Sequence, residues 1–203
     1  MKTLVMTSIK ILAVTMLMAT SFVLITCNSK HRADKKEKSS QKKIAAPSMD
    51  IHAAAFMGNL DAINQHINAG TDLNAKDDYG STPLITATLF GKTDAALLLI
   101  KAGADVNMTN AEGSTALHTA AFFCRTKIVK ALLENGADKN IRNIYGSTPM
   151  ESVAGPFEDV RAIYDQIGKD LGPLGMKLDY ERLEKTRPVI AEMLQSETVI
   201  TRE

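Results

Sequence analysis

The sequence has no tryptophan and only 5% aromatic residues in 203. That is little for the aromatic, β-branched faces of a β-sandwich, and the many Ala and Leu residues favour packed helices. Its two cysteines, Cys27 and Cys124, cannot build a disulfide framework. Neither a glycine-rich phosphate loop nor a dinucleotide fingerprint occurs. The four histidines are His31, His52, His66 and His118, and no set of His, Cys and carboxylate residues has metal-ligand spacing. No catalytic, cofactor-binding or metal-binding residue is therefore assigned, and an enzyme is not expected.

A charge of one sign is also missing, since the formal net charge is +1. The balance conceals a division. Residues 28–49 carry seven basic side chains (Lys30, Arg32, Lys35, Lys36, Lys38, Lys42 and Lys43) against Asp34 and Glu37, whereas residues 50–203 carry 15 basic and 21 acidic ones. The larger segment is acidic, the reverse of what a duplex-binding domain needs, so nucleic acid is not an expected partner.

The leader has a different character. After Lys2 and Lys10, residues Ile11 to Cys27 form an uncharged run of 17. This is longer than most signal-peptide cores and shorter than a comfortable membrane span. Its end, Leu24-Ile25-Thr26-Cys27, resembles a bacterial lipoprotein signal, in which the cysteine is lipidated and becomes the new N-terminus. Thr26 departs from the Gly, Ala or Ser usual before that cysteine. A lipidated Cys27, a cleaved signal without lipid, an uncleaved anchor and a run that stays in the cytosol all remain open. The basic flank at 28–49 weighs against export through the positive-inside tendency. The resemblance implies a signal or anchor at 1–27 and membrane contact through an N-terminal lipid or anchor. It also implies a place in the cell envelope, on the periplasmic side of a bacterial membrane, or secretion. Residues 28–48, rich in Lys, Ser and Gln, read as a basic disordered tether.

A period organises the remainder. Gly80, Gly113 and Gly146 are spaced by 33, as are Gly70, Gly103 and Gly136, and Thr82, Thr115 and Thr148 follow the first series at an offset of two. Around them stand Gly80-Ser81-Thr82-Pro83-Leu84, Gly113-Ser114-Thr115-Ala116-Leu117 and Gly146-Ser147-Thr148-Pro149-Met150. Pro83 and Pro149 suit a first helical turn, and the threonines before them suit caps. Ile128, Val129, Leu132 and Leu133 give a second helix one apolar face, which Gly136 closes. Asp72, Asp105 and Asp138 recur at the same period, which argues for architecture.

These motifs resemble the ankyrin repeat family. His52 and His118 occupy its His position, and Gly103-Ala104-Asp105-Val106-Asn107 matches its closing stretch. The resemblance implies an all-α solenoid of about four repeats, at 49–77, 78–110, 111–143 and 144–168, with a helical C-terminal cap and tail at 169–203. Helix pairs too small to hold a core alone bury a shared face by stacking.

Departures from the pattern set further expectations. His66 stands where the third repeat has Leu132, which suits the water-facing side of a first repeat. Cys124 replaces the turn glycine seen at Gly58 and Gly91; in a left-handed position it costs about 1 kcal/mol, and it reads as a small filler. The fourth repeat breaks at Gly155-Pro156, after which Val160, Ile163, Tyr164 and Ile167 form an apolar stripe. Asp179 is expected to cap a short helix carrying Leu183, and Pro188 to open or kink another.

The family binds proteins through its turn tips and the exposed side of its first helices. Here the tips present Asp78 and Tyr79, Glu112, and Ile144 and Tyr145. The helix positions present Phe56 and Met57, Leu89 and Phe90, and Phe122 and Phe123. One residue of each pair is expected beneath the neighbouring repeat, with Met57, Phe90 and Phe123 the freer. The resemblance implies a monomeric, cofactor-free protein–protein interaction module with an unidentified protein partner. The alternative is a structural or stress-related envelope component acting through its anchor and tether.

Overall fold

A computed structural model describes residues 47–196. The expected signal with Cys27, and nearly all of the tether, lie outside the described residues. The helices run α1 Ile51–Met57, α2 Leu60–Ala69, α3 Pro83–Leu89, α4 Thr93–Lys101, α5 Ala116–Phe122, α6 Thr126–Glu134, α7 Glu151–Ala154, α8 Phe157–Leu171 and α9 Tyr180–Gln195. Among the described residues the only β pairing is an isolated bridge between Thr109 and Thr115.

Side-chain caps start the inner helices α1, α3 and α5. Thr82 Oγ1 accepts from the Ile85 amide at 3.3 Å, with Pro83 in the first turn, where a missing N–H leaves no bond unmade. Thr115 and His118 cap reciprocally: Thr115 Oγ1 accepts from the His118 amide at 3.3 Å and His118 Nδ1 from the Thr115 amide at 3.1 Å. The first repeat lacks the threonine, and Asp50 replaces it by accepting from the amides of His52 and Ala53 at 2.8 and 3.2 Å.

Two rows of helices then stack. The inner row is α1 on α3 on α5 on α7, and the outer row begins α2 on α4 on α6. Small residues at the inner contacts, Ala54-Ala55, Ala87-Thr88 and Ala120-Ala121, are fully buried. Thr88 fits because its hydroxyl donates to the Leu84 carbonyl at 2.7 Å within its own helix.

Three expectations need correction. His66 is buried, not water-facing: its Nε2 lies 2.8 Å from the Met49 carbonyl and its Nδ1 3.1 Å from Thr71 Oγ1. The entering chain folds over the open end of the first repeat, and Ser48 N donates to Gln65 Oε1 at 2.7 Å. At the other end, Asp179 Oδ1 accepts from the Arg182 amide at 3.0 Å and opens one continuous α9 that keeps Pro188 inside it, rather than two helices. Finally, the stripe on α8 keeps Val160, Tyr164 and Ile167 against the core, with Tyr164 fully buried, but loses Ile163, which is half exposed. Successive residues on a helix point about 100° apart, so Ile163 lies off the line of Val160, Tyr164 and Ile167.

The outer row is continued by α9, which packs on α5, α6 and α7 through Leu183, Arg187, Ile190 and Leu194. Ahead of it, α8 runs through Gly168 to Leu171. Cys124 adopts a φ of 53°, the left-handed region expected, and is buried with Sγ 3.6 Å from the Leu183 carbonyl of α9. Burial raises its thiol pKa, against the pull of the Arg187, Arg182 and Arg125 charges, which keeps it a filler thiol.

Candidate functional site

The tips form a bonded row. Asp77 Oδ1 accepts from the amides of Tyr79 and Ser81 at 2.9 and 2.8 Å. Asn110 does the same for Glu112 and Ser114 at 3.0 and 2.9 Å, and Asn143 for Tyr145 and Ser147, both at 3.1 Å. Neighbouring tips are joined by Ala111 N donating to Tyr79 O at 3.2 Å and by Ile144 N donating to Glu112 O at 2.9 Å. Asp77, Asn110 and Asn143 escape the sequence reading although they obey its 33-residue period. Asx residues that fold their side chain back on a following amide are the signal that marks them. At the turns closing each repeat, Asn74 and Asn107 accept from the amides of Asp105 and Asp138, both at 2.8 Å, tying each repeat to the next.

On this frame Asp78, Tyr79, Glu112, Ile144 and Tyr145 are all exposed, and Tyr79 and Tyr145 keep 80% and 70% of their surface. Tyr145 Oη donates to Glu112 Oε1 at 3.4 Å. Rigid backbone beneath exposed amphipathic rings is what a protein contact needs, because little order is lost on binding.

The helix-end ladder is only partly free. Met57 is 60% exposed, and Leu89 and Phe90 are half-buried. Phe56 and Phe90 meet edge to face with ring centroids 4.5 Å apart, joining the first two rungs. The third rung is taken by the chain itself. Phe123 is 5% exposed, which overturns its expected freedom. Phe122 is stacked under Tyr164 of α8 at 4.5 Å, and the Tyr164 hydroxyl donates to the Phe122 carbonyl at 2.5 Å. Burial pushes the Tyr164 pKa up to about 12 despite the neighbouring Arg187 charge. The open apolar surface therefore ends after Phe90, and Phe122 and Phe123 belong to the core of the C-terminal end.

In the core, His118 has a partner at each ring nitrogen. The neutral His118 ring accepts at Nδ1 and donates from Nε2 to the Ser147 carbonyl at 3.0 Å. Burial holds its pKa below the ordinary histidine value, with the Ser147 carbonyl opposing. Among the described residues no group of three His, Cys, Asp or Glu side chains is placed to hold a metal ion. No helix among them is long and apolar enough to cross a membrane.

A comparison with family models agrees with this architecture. The family model described as ankyrin repeats (three copies) matches residues 51–143. Among solved structures, the chain is similar to the ankyrin repeat domain of Bcl-3, described as a unique member of the IkappaB protein family, at 30% identity and a TM-score of 0.49. That likeness covers 50% of this chain and 45% of the other, so the chain spans less than half of that neighbour's length. Comparison with curated proteins gives no match. With a period of 33, capped helix pairs stacked in two rows and a family model spanning them, residues 51–143 are ankyrin repeats.

Proposed function

We propose that the chain is a non-enzymatic module that holds a protein partner on its tips and on the open rungs of its groove. Ankyrin repeats are generally protein–protein interaction modules and typically non-enzymatic scaffolds. The observation that carries the reading is the exposed set Met57, Tyr79, Ile144 and Tyr145, most of it mounted on hydrogen-bonded tips. Exposed apolar surface on a rigid frame marks interaction sites. Replacing Tyr79, Ile144 and Tyr145 together by Ser leaves helicity and stability nearly unchanged, because all three are exposed. The same change abolishes the cross-links that the wild-type chain forms in its native envelope, as read by mass spectrometry. Retained cross-links would refute this surface.

The proposal includes tethering to the bacterial envelope through the N-terminal segment, by lipid on Cys27. What supports it is the uncharged run before Cys27 and its lipoprotein-like end. Intact mass of the membrane-extracted protein tests it: a chain beginning at a diacylated Cys27 is expected, and an unmodified chain beginning at Met1 would refute it.

A further inference from the structure

We propose that Arg125 and Arg182 form a carboxylate-binding end to the groove, so that the segment it takes is an acidic stretch of polypeptide carrying an apolar side chain. The inference rests on the reading of the groove as a protein-binding surface and names the chemistry of its partner.

Three observations carry it. First, the two arginines are brought together from distant parts of the chain. Arg182, on the first turn of α9, donates from Nη1 to the Cys124 carbonyl at 3.1 Å, and Arg125 is the next residue. Second, neither guanidinium has an ion-pair partner among the described residues. Arg125 Nε is buried without a hydrogen-bond partner, its guanidinium lies 6.0 Å from the Phe123 ring centroid, and the one bond shown for the Arg182 side chain is that to Cys124. Burial, and after it the adjacent Arg182 charge, lowers the Arg125 pKa, so the two cations lie close enough to repel one another. Third, they sit where the apolar surface ends. The Arg125 guanidinium lies across Gly91, its Cζ 2.6 Å from where a Cβ would stand, and Gly91 follows Phe90. One period earlier the aliphatic stem of Lys92 passes Gly58, its Cδ 3.2 Å from where a Cβ would stand. Arg125 and Arg182 are thus placed at the turn that follows Leu89 and Phe90, with Lys92 in the same turn.

The chemistry follows from the fork of a guanidinium, which grips a carboxylate through two parallel N–H donors. An aromatic or aliphatic side chain on the Phe90 rung would leave a following Asp or Glu within reach of the two arginines. The acidic tips Asp78 and Glu112 lie at the opposite end of the seven-residue inner helices, about 10 Å away at 1.5 Å per residue. They do not neutralise the pair.

The test uses the full chain immobilised on beads and two pools of short synthetic peptides. In one pool a Phe or Leu precedes a pair of Asp or Glu residues; in the twin pool Asn and Gln replace the acids. Wild type is expected to retain the acidic pool about tenfold better than the neutral one, a preference that rising salt erodes. Arg125→Gln with Arg182→Gln removes the preference. If that double variant loses helicity, Arg182→Gln alone, which forfeits only the bond to the Cys124 carbonyl, carries the same comparison. Equal retention of both pools, lost on Met57→Ser with Phe90→Ser, would overturn the arginine assignment while leaving the groove standing. Retention of neither pool would overturn the assignment together with the groove it rests on.

Discussion

Replacing Tyr164 by Phe tests whether α8 holds the C-terminal end closed. The ring is fully buried and stacked between Phe122 at 4.5 Å and Phe157 at 5.6 Å, so the substitution keeps its apolar contacts. What it removes is one hydroxyl with two partners. That hydroxyl donates to the Phe122 carbonyl at 2.5 Å and accepts from Arg187 Nη1 at 3.3 Å. Arg187 is 2% exposed, its Nε has no partner, and its remaining bond is to the Gly155 carbonyl at 3.2 Å. Leaving a buried donor and acceptor unpaired costs about 1–3 kcal/mol. Cys124 supplies the reporter. It is buried beneath α9, and in a Cys27→Ser background it is the only thiol in the chain. A reagent such as Ellman's reaches it only when this end opens, so the labelling rate follows the opening equilibrium. The loss converts to labelling about 5- to 150-fold faster in Tyr164→Phe, with Tyr79→Phe, at an exposed tip, unchanged. An unaltered rate would mean that the hydroxyl does not secure the closure, and the account of why Phe122 and Phe123 are withdrawn from the groove would fail with it.

Two further outcomes follow from the same geometry. Because burial depresses the folded-state pKa of His118, the unfolded chain takes its proton first as the pH falls. The His118 contribution is therefore intact above about pH 6.5, declines below it, and levels off once the folded imidazole also protonates. Urea midpoints measured across this range should show a shallower decline in His118→Asn, and an identical slope would sink the assignment. Gly70 and Gly80 have nearly equal positive φ, 68° and 69°, but a Cβ at Gly70 meets nothing within 4 Å whereas one at Gly80 falls 2.8 Å from the Ala111 amide of the next tip. Gly70→Ala should lose only the backbone term of about 1 kcal/mol, and Gly80→Ala distinctly more. Equal losses by urea titration would show that the tips are not held at the spacing described.

Much of this molecule is legible in one dimension because its period is. A repeat needs the same cap, the same turn and the same small residue at each step, so the spacing alone marks Thr82 and Thr115 as caps and Cys124 as a strained stand-in for glycine. The misreadings share a cause: each concerns a place where the period stops. His66 is a polar residue at a core position only until the chain at Met49 folds over it. The Phe122–Phe123 rung looks like its predecessors in sequence, yet what covers it lies about forty residues on, in a helix of different length. Periodicity specifies the surface that each repeat offers to the next and says nothing about which segment accepts the last offer.

The same reasoning explains why Arg125 is easily overlooked. In the repeat register it is the counterpart of Lys92, a long cation lying across a turn glycine, and by itself it would be another solvated side chain. Its setting changes because α9, where the repeat has ended, places Arg182 beside it and Cys124 beneath Leu183. A regular stack gives every rung an equivalent environment, so an end that departs from it is where such a chain acquires a feature found at one rung alone. The apolar rungs before that point resemble one another and favour extended, weakly discriminating contact. Two guanidiniums at the final rung, neither in a salt bridge among the described residues, supply polarity and direction, since a bound segment gains from the pair only when its acidic side lies toward α9. Selectivity for a partner would on this argument reside at the irregular end of the solenoid, with the repeats before it contributing mainly area.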